Sequence, residues 1–198
     1  FPMVLVHRTP PPMVSIPSVT VENIEVTQQL IEHLIQVHGR KRILFLRGPV
    51  DQEDSMRRET GYRAALQANG IVIDDNLIIA GEFERGIAYQ AMNQVLGNGR
   101  HIAFHAVFTG DDDAAIGVLK SLHEHSLRVP EDVSVIGFDD LGFASFLNPP
   151  LTTVRAPTER VGQIATQRLF DILDNQPSDD ALVLPTEIIY RRSCGCPY

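Results

Sequence analysis

The segment "VSVIGFDDLGFASFLNPPLTTV", residues 133–154, decides how this chain is read. Its first six residues form an apolar run of strand length. The run ends in Asp139 and Asp140, then passes through small and aromatic residues to a double proline. In an open α/β fold, a strand that ends in carboxylates carries them to the carboxyl edge of the sheet, where ligands bind. Asp139 is therefore a candidate ligand acceptor, with Asp140 a candidate helix cap, and "NPP" (148–150) is a break in the architecture.

Upstream of this segment, short β-rich runs alternate with longer helical ones. "RILFLRG" (42–48), "NLIIAGEF" (76–83), "AVFTG" (106–110) and "VSVIGF" (133–138) read as four strands. Helices lie between them over "SMRRETGYRAALQANG", "IAYQAMNQVLGNG" and "DAAIGVLKSLHEHSL". Another helix precedes them in "NIEVTQQLIEHLIQVHG", with Val26, Leu30, Leu34 and Val37 on one face and Gly39 at its stop. This alternation gives βαβ units, a parallel sheet and right-handed crossovers. Beyond "NPP", residues 158–176 read as a helix, and "ALVLPTEIIYRR" (181–192) is strand-like but interrupted by Pro185. "MVLV" (3–6) reads as a further strand, and the Pro-rich residues 7–23 as an extended connection between lobes.

Composition narrows the function classes. The 198 residues, 43% of them hydrophobic, are enough for a real core. The longest apolar runs fall far short of a bilayer span, so no membrane role is expected. A net charge of -8 argues against this segment itself gripping phosphate backbones, and the basic "GRKR" (39–42) stands alone. The two cysteines sit together in "SCGCP" (193–197), so no disulfide framework is expected, and a reducing compartment fits. "CGC" by itself is too short for a zinc site, which needs four ligands. The histidine pairs "HIAFH" (101–105) and "HEH" (123–125) carry no metal-site reading either: the first runs into a strand, and the second sits at a helix end. No metal and no cofactor are expected. No nucleophile elbow or phosphate-binding glycine loop is present, and enzyme activity is not expected.

In order and spacing, "FPMVLVHR", "VTVEN", "HLIQVHGRKRILFLRGP", "SMRRETGYRAAL", "VFTGDDDAAIG", "LRVPEDVSVIGFDD" and "NPPLTTVRAPTERVGQIA" resemble the effector-binding domain of the lactose-repressor/galactose-repressor (LacI/GalR) family. "VPEDVSVIGFDD" followed by "PPLTTV" is the most specific part, and the resemblance covers nearly the whole chain. It implies an α/β, two-lobed, periplasmic-binding-protein-like fold with doubly wound parallel sheets, one lobe complete and one partial. The implied organisation is residues 1–21 as part of the amino-terminal lobe, 22–155 as the carboxy-terminal lobe, 156–184 as a return to the first, and 185–198 as a terminal strand of the second. The helix-turn-helix DNA-binding module of the family lies outside these residues. A chain that opens at "FPMVLVHR", at the lip of a strand, is expected to be the later part of a longer protein.

The resemblance also implies the site. Arg58 stands where the family places an arginine facing the effector, and a guanidinium fork suits vicinal hydroxyls or a carboxylate. Thr60 is its weaker companion. Asp139 accepts hydrogen bonds from the ligand in such proteins. Asp111 stands where the family usually has Asn and would face the ligand, with Asp112 capping a helix that begins at Asp113; the three carboxylates together could alternatively hold a divalent cation. Phe83 would lay an aromatic face against the effector or else cover the lobe's core. His7 and Arg8 replace the family's usual Asp-Arg at the rim.

By the same resemblance the protein is a cytoplasmic transcription regulator. It would form a homodimer through Leu119, Leu122, Phe143 and Phe146, unless these four are ordinary core. Its effector, a sugar by default, would control DNA binding by the absent module. The rival readings are a periplasmic sugar-binding protein of a transporter and the sensor module of a signalling protein.

Overall fold

The four strands read from residues 42–138 form one parallel sheet in the order β4-β3-β5-β6, with β3 at Ile43–Arg47, β4 at Ile78–Ala80, β5 at Ala106–Thr109 and β6 at Ser134–Ile136. The structure is a computed structural model and describes residues 1–97, 104–176 and 181–197. His101 of the "HIAFH" pair lies outside these. From β3 the chain winds outward to β4, then crosses back to β5 and on to β6. The winding direction therefore reverses between β3 and β5, which is where open α/β sheets leave a crevice at their carboxyl ends.

Alternation along β3 builds a core on each face of this sheet. Ile43 and Phe45 point to one side, where Phe108, Phe138, Tyr62, Leu30 and Leu34 pack. Leu44 and Leu46 point to the other, among Met92, Val107, Val118, Leu122 and Val135. Helices α1 (Ile24–Gln36) and α2 (Glu53–Ala68) supply the first layer, and α3 (Arg85–Leu96) and α4 (Asp112–Glu124) the second. Phe45 stacks on Phe108 with ring centroids 4.8 Å apart. Val37 does not share the buried face of α1: it is the C-cap and is 64% exposed, because the backbone turns out of the helix toward Gly39.

A second parallel sheet, β1-β2-β8, joins β1 (Leu5–Val6), β2 (Ser18–Val21) and β8 (Ala181–Leu184). The Pro-rich connection read over residues 7–23 thus contains a strand, β2, every residue of which is buried. Its four residues alternate too briefly between Ser/Thr and Val to announce a buried central strand. Helix α5 (Thr158–Leu173) packs on this sheet. A third, antiparallel pair joins β7 (Thr153–Arg155) to β9 (Glu187–Ile189), so Pro185 separates two strands that serve different sheets. The chain leaves the β1-β2-β8 sheet after β2, returns to it through α5 after β7, and leaves it again after β8 for β9. Two of these crossings are tied together, because the Glu22 N–H donates to the Leu184 carbonyl and the Thr186 hydroxyl to the Glu22 carbonyl.

Candidate functional site

At the carboxyl ends of β3 and β5 the chain places Gly48 and Gly110, and the ring of Phe83 lies over both. A Cβ on Gly48 would stand 2.2 Å from Phe83 Cζ, and one on Gly110 2.6 Å from its Cε1. Only glycine lets the ring come down onto the switch point. Phe83 is held there on backbone with φ +57, beside Glu82 with φ +55, in the turn whose Gly81 and Glu82 N–H groups donate to the Arg47 carbonyl.

Under this ring sits Arg58. It is 4% exposed, and its guanidinium lies 3.6 Å from the Phe138 ring centroid and 5.4 Å from that of Phe83. Nε donates to Asn23 Oδ1 at 2.8 Å and Nη1 donates to the Gly110 carbonyl. Nη2 faces Asp139 Oδ1 at 3.5 Å, beyond good hydrogen-bond length, so this pair remains open to a third group. Asp139 has φ +106, and its N–H donates to the Val154 carbonyl. Burial raises its carboxyl above the ordinary range, with Arg58 pulling the other way.

Asn23 and Asp54 complete the arrangement, and neither was singled out from the sequence. Asn23 is buried and donates to Asp54 Oδ1 and to the Val21 carbonyl, both at 3.0 Å. Asp54 Oδ2 lies 3.1 Å from His7 Nδ1. Burial alone would raise the Asp54 carboxyl, but His7, Arg58 and Asn23 together bring it below the ordinary range. A signal for Asp54 was present: it stands four residues before Arg58, the spacing that puts two side chains on one helix face. Asn23 sits at a crossing between sheets, so its role follows from tertiary packing.

The other expected site residues fall as follows. His7 joins the network through Asp54. Arg8 is exposed and donates to the Asp51 carbonyl at 3.3 Å, while neighbouring Thr9 bonds Glu53, so this loop grips the start of α2. Thr60 is not brought to the site: it is exposed, and its hydroxyl returns to the Met56 carbonyl of its own helix. Two positions past Arg58 on a helix, it faces another way.

The helix cap expected of Asp112 falls to Asp111 instead. Asp111 is the N-cap of α4 and accepts from the Ala114 N–H at 3.0 Å. Asp112 is fully buried, accepting from the Thr153 hydroxyl at 2.6 Å and the Leu141 N–H at 2.8 Å, and so ties the 139–141 turn to α4. Burial pushes Asp111 up to about 6 and Asp112 to about 7. Asp113 turns outward to Arg85, so the three carboxylates diverge rather than converge on one ion. Asp140 caps no helix: it bonds Arg155 at 2.8 Å and Arg191 at 2.7 Å. An open groove of about 780 Å³ continues from Asp139 past Arg155, Pro157 and Arg160 to Glu187.

Of the four expected interface residues, Leu122 is fully buried in the core of its own lobe and cannot anchor a partner. Leu119 is partly buried against the same core, Phe143 is half-buried, and Phe146 is 86% exposed. The pair Cys194 and Cys196 is not alone as the sequence suggested, for His33 and His38 stand beside it.

Comparison with known proteins agrees with this architecture. Residues 31–194 match the family described as periplasmic binding protein-like domain. The ribose operon repressor of Escherichia coli K12 is 40% identical over 144 residues, which is 73% of this chain and 42% of that protein. A sugar-binding transcriptional regulator of the LacI family from Escherichia coli, solved in complex with phosphate, superposes with a TM-score of 0.84 at 32% identity, covering 97% of this chain and 68% of that one. The complex of the transcriptional regulator CelR with cellobiose gives 0.86 at 33% identity, covering 96% and 58%. The chain spans about half or less of the length of the curated relatives it matches. With residues 31–194 matched by that family and solved LacI-family regulators superposing over nearly the whole chain at more than 30% identity, the chain belongs to the LacI family of transcriptional regulators, through its periplasmic binding protein-like domain.

Proposed function

We propose that this domain senses a small polar molecule, a sugar, and that the sensing controls DNA binding by a module outside these residues. One observation carries the reading: a buried arginine stacked on Phe138 faces Asp139 at a loose ion-pair distance of 3.5 Å at a topological switch point. A guanidinium and a carboxylate set side by side donate to and accept from adjacent hydroxyls, and the Phe83 ring offers an apolar face to the C–H side of a pyranose or furanose. The relatives point the same way, being a repressor of a ribose operon, a regulator titled sugar-binding and a regulator complexed with cellobiose.

In this reading residues 1–21 and 156–184 belong to one lobe and 22–155 with 185–198 to the other, and effector binding shifts the balance between two lobe orientations. Phe146, with Leu119 and Phe143 beside it, forms the centre of a homodimer interface that pairs the DNA-binding modules. The protein works in the cytoplasm and catalyses no reaction; among the described residues no helix is long and apolar enough to cross a membrane.

The test is a calorimetric titration of a pentose, hexose and disaccharide panel into the full-length protein and its Asp139→Asn and Phe83→Ala variants. The expected result is a hit on the parent that weakens at least about tenfold in each variant, as loss of a charged hydrogen bond or of a stacked ring implies. A sugar that binds both variants as well as the parent overturns the assignment.

A further inference from the structure

The carboxy-terminal tail returns to the amino-terminal edge of the β4-β3-β5-β6 sheet, the edge opposite the Arg58 crevice. There it meets the end of α1. His33 is in the last turn of that helix and His38 lies just past it, while Cys194 and Cys196 come from the tail. The four ligating atoms lie within 4.8 Å of one another. His33 Nε2 and His38 Nε2 are 3.1 Å apart, and Cys196 Sγ is 3.4 Å from the first and 3.6 Å from the second. A tetrahedral zinc ion with Zn–S of about 2.3 Å and Zn–N of about 2.05 Å holds its ligand atoms roughly 3.3–3.8 Å apart. The separations among His33, His38 and Cys196 are close to that, and Cys194 Sγ lies within 4.8 Å of the other three.

The surroundings are built to hold the four together. Ser193 donates to the Val135 carbonyl at 2.6 Å and accepts from the Thr152 N–H at 2.8 Å, which seats the tail against β6. The Ser134 hydroxyl donates to the Cys194 carbonyl, and the Thr152 hydroxyl lies 3.1 Å from Cys194 Sγ. Gly195, with φ +114, separates the two cysteines, and a Cβ there would stand 3.0 Å from His38 Nδ1. The loop thus closes onto His38 only because that residue is glycine. Tyr190 packs its ring on His33, 4.3 Å between centroids. Cys194 is fully buried and the other three are half-buried.

We propose that His33, His38, Cys194 and Cys196 bind one zinc ion, as a closed structural site that fastens the tail to α1. Two thiolates and two imidazoles in tetrahedral array suit zinc, and four protein ligands leave no position for a substrate. Binding is not a redox step: each of the two thiols gives up a proton to solvent as its sulfur bonds the ion, and each neutral imidazole gives its Nε2 lone pair. Burial and then His38 lower His33, and burial and then Arg40 lower His38. Burial and Cys194 push the Cys196 thiol up to about 11 in the metal-free chain.

The experiment uses the full chain, untagged and reduced. It is stripped with a chelator, reloaded with zinc or cobalt(II), freed of excess metal and analysed for bound metal and absorption. Expected are one ion per chain, thiolate-to-cobalt charge-transfer together with the strong visible bands of a tetrahedral site, and a thermal midpoint that falls on stripping and recovers on reloading. Cys196→Ser and His38→Ala should bind at least about tenfold more weakly and show no midpoint response to zinc. Should a variant fail to fold, stripping and reloading of the parent still decides the matter. Substoichiometric metal, cobalt spectra without a thiolate band, or unchanged binding in a Cys194→Ser, Cys196→Ser double variant overturns the proposal. So does a tail that is found only as a Cys194–Cys196 disulfide and takes up no zinc after reduction.

Discussion

Arg58 lies flat on Phe138, its guanidinium carbon 3.6 Å from the ring centroid, and this stacking fixes the plane in which the arginine presents its donors. Phe138 in turn is fully buried at the end of the strand that delivers Asp139. The two halves of the binding edge, cation and carboxylate, are therefore set by adjacent residues of one strand end.

Because shape as well as charge is used here, Arg58→Lys is not conservative. Lysine keeps the charge but cannot stack and reach Asn23 and the Gly110 carbonyl together. Stability should fall by about 1–3 kcal/mol in Arg58→Lys, and by roughly 3–5 kcal/mol in Arg58→Ala, which leaves buried acceptors without a donor. Urea unfolding of both variants checks the order. A lysine variant as stable as the parent would show that charge alone matters.

Gly48→Ala should act on Phe83 without acting on the core. The three atoms nearest the new methyl all belong to the far end of that ring, which must swing off the switch point. Effector affinity should drop at least about tenfold while stability changes by less than about 1 kcal/mol. Calorimetry and thermal unfolding read the two effects separately. A large stability loss with binding intact would mean that Phe83 is a core residue.

Stability should depend on pH through Asp111 and Asp112. Both titrate higher in the fold than the ordinary value of 3.8, at about 6 and about 7. These two carboxyls therefore bind more protons in the folded chain than in the unfolded one across this window. Stability contributed by these groups falls as pH rises from about 4 to about 7 and levels off above. Asp54, held low, contributes the opposite slope at acid pH, so the decisive comparison is with Asp112→Asn. In that variant the amide oxygen can still accept from Leu141 while the nitrogen donates to the Thr153 hydroxyl. It should be at least as stable as the parent at pH 8 and show a shallower slope between pH 4 and 7. A uniform loss at every pH in urea melts would show that the charged form holds the turn.

Leu122 and Phe146 should separate core from interface. Leu122→Ala empties a fully buried site and should cost about 2–4 kcal/mol. Phe146→Glu, on an 86% exposed side chain, should leave monomer stability within about 0.5 kcal/mol and abolish dimerisation. Sedimentation velocity reads the second effect. A Phe146→Glu variant that remains dimeric removes this residue from the proposed interface.

What the sequence determined by itself was the part governed by local pattern. Apolar runs bounded by glycine and proline placed the four strands from Ile43 to Ile136, since a strand buried on both faces must be apolar throughout. The strand end in "GFDD" singled out Asp139 locally, whereas Arg58 in "RRETG" was reached only through the family resemblance. Tertiary structure decided whatever depends on distant segments meeting. It made a buried strand of Ser18–Val21 by setting it between β1 and β8, partners 13 and 163 residues away in register. It gave Asp111 the cap and Asp112 the buried bonds, because Thr153 and Leu141 arrive only when the "NPP" turn folds back onto α4. It also turned Leu122 inward and left Phe146 outside, though the resemblance implied that both belong to one apolar surface built from "GVLKSLHEHSL" and "LGFASFLNPP". The clearest case is the tail: "CGC" carries two ligands in sequence, and two histidines more than 150 residues earlier reach it because the last turn of α1 ends where β6 begins. A hydrogen-bonding or ligating group is legible when its partner is a few residues away, and becomes visible only in the fold when the chain must return to supply it.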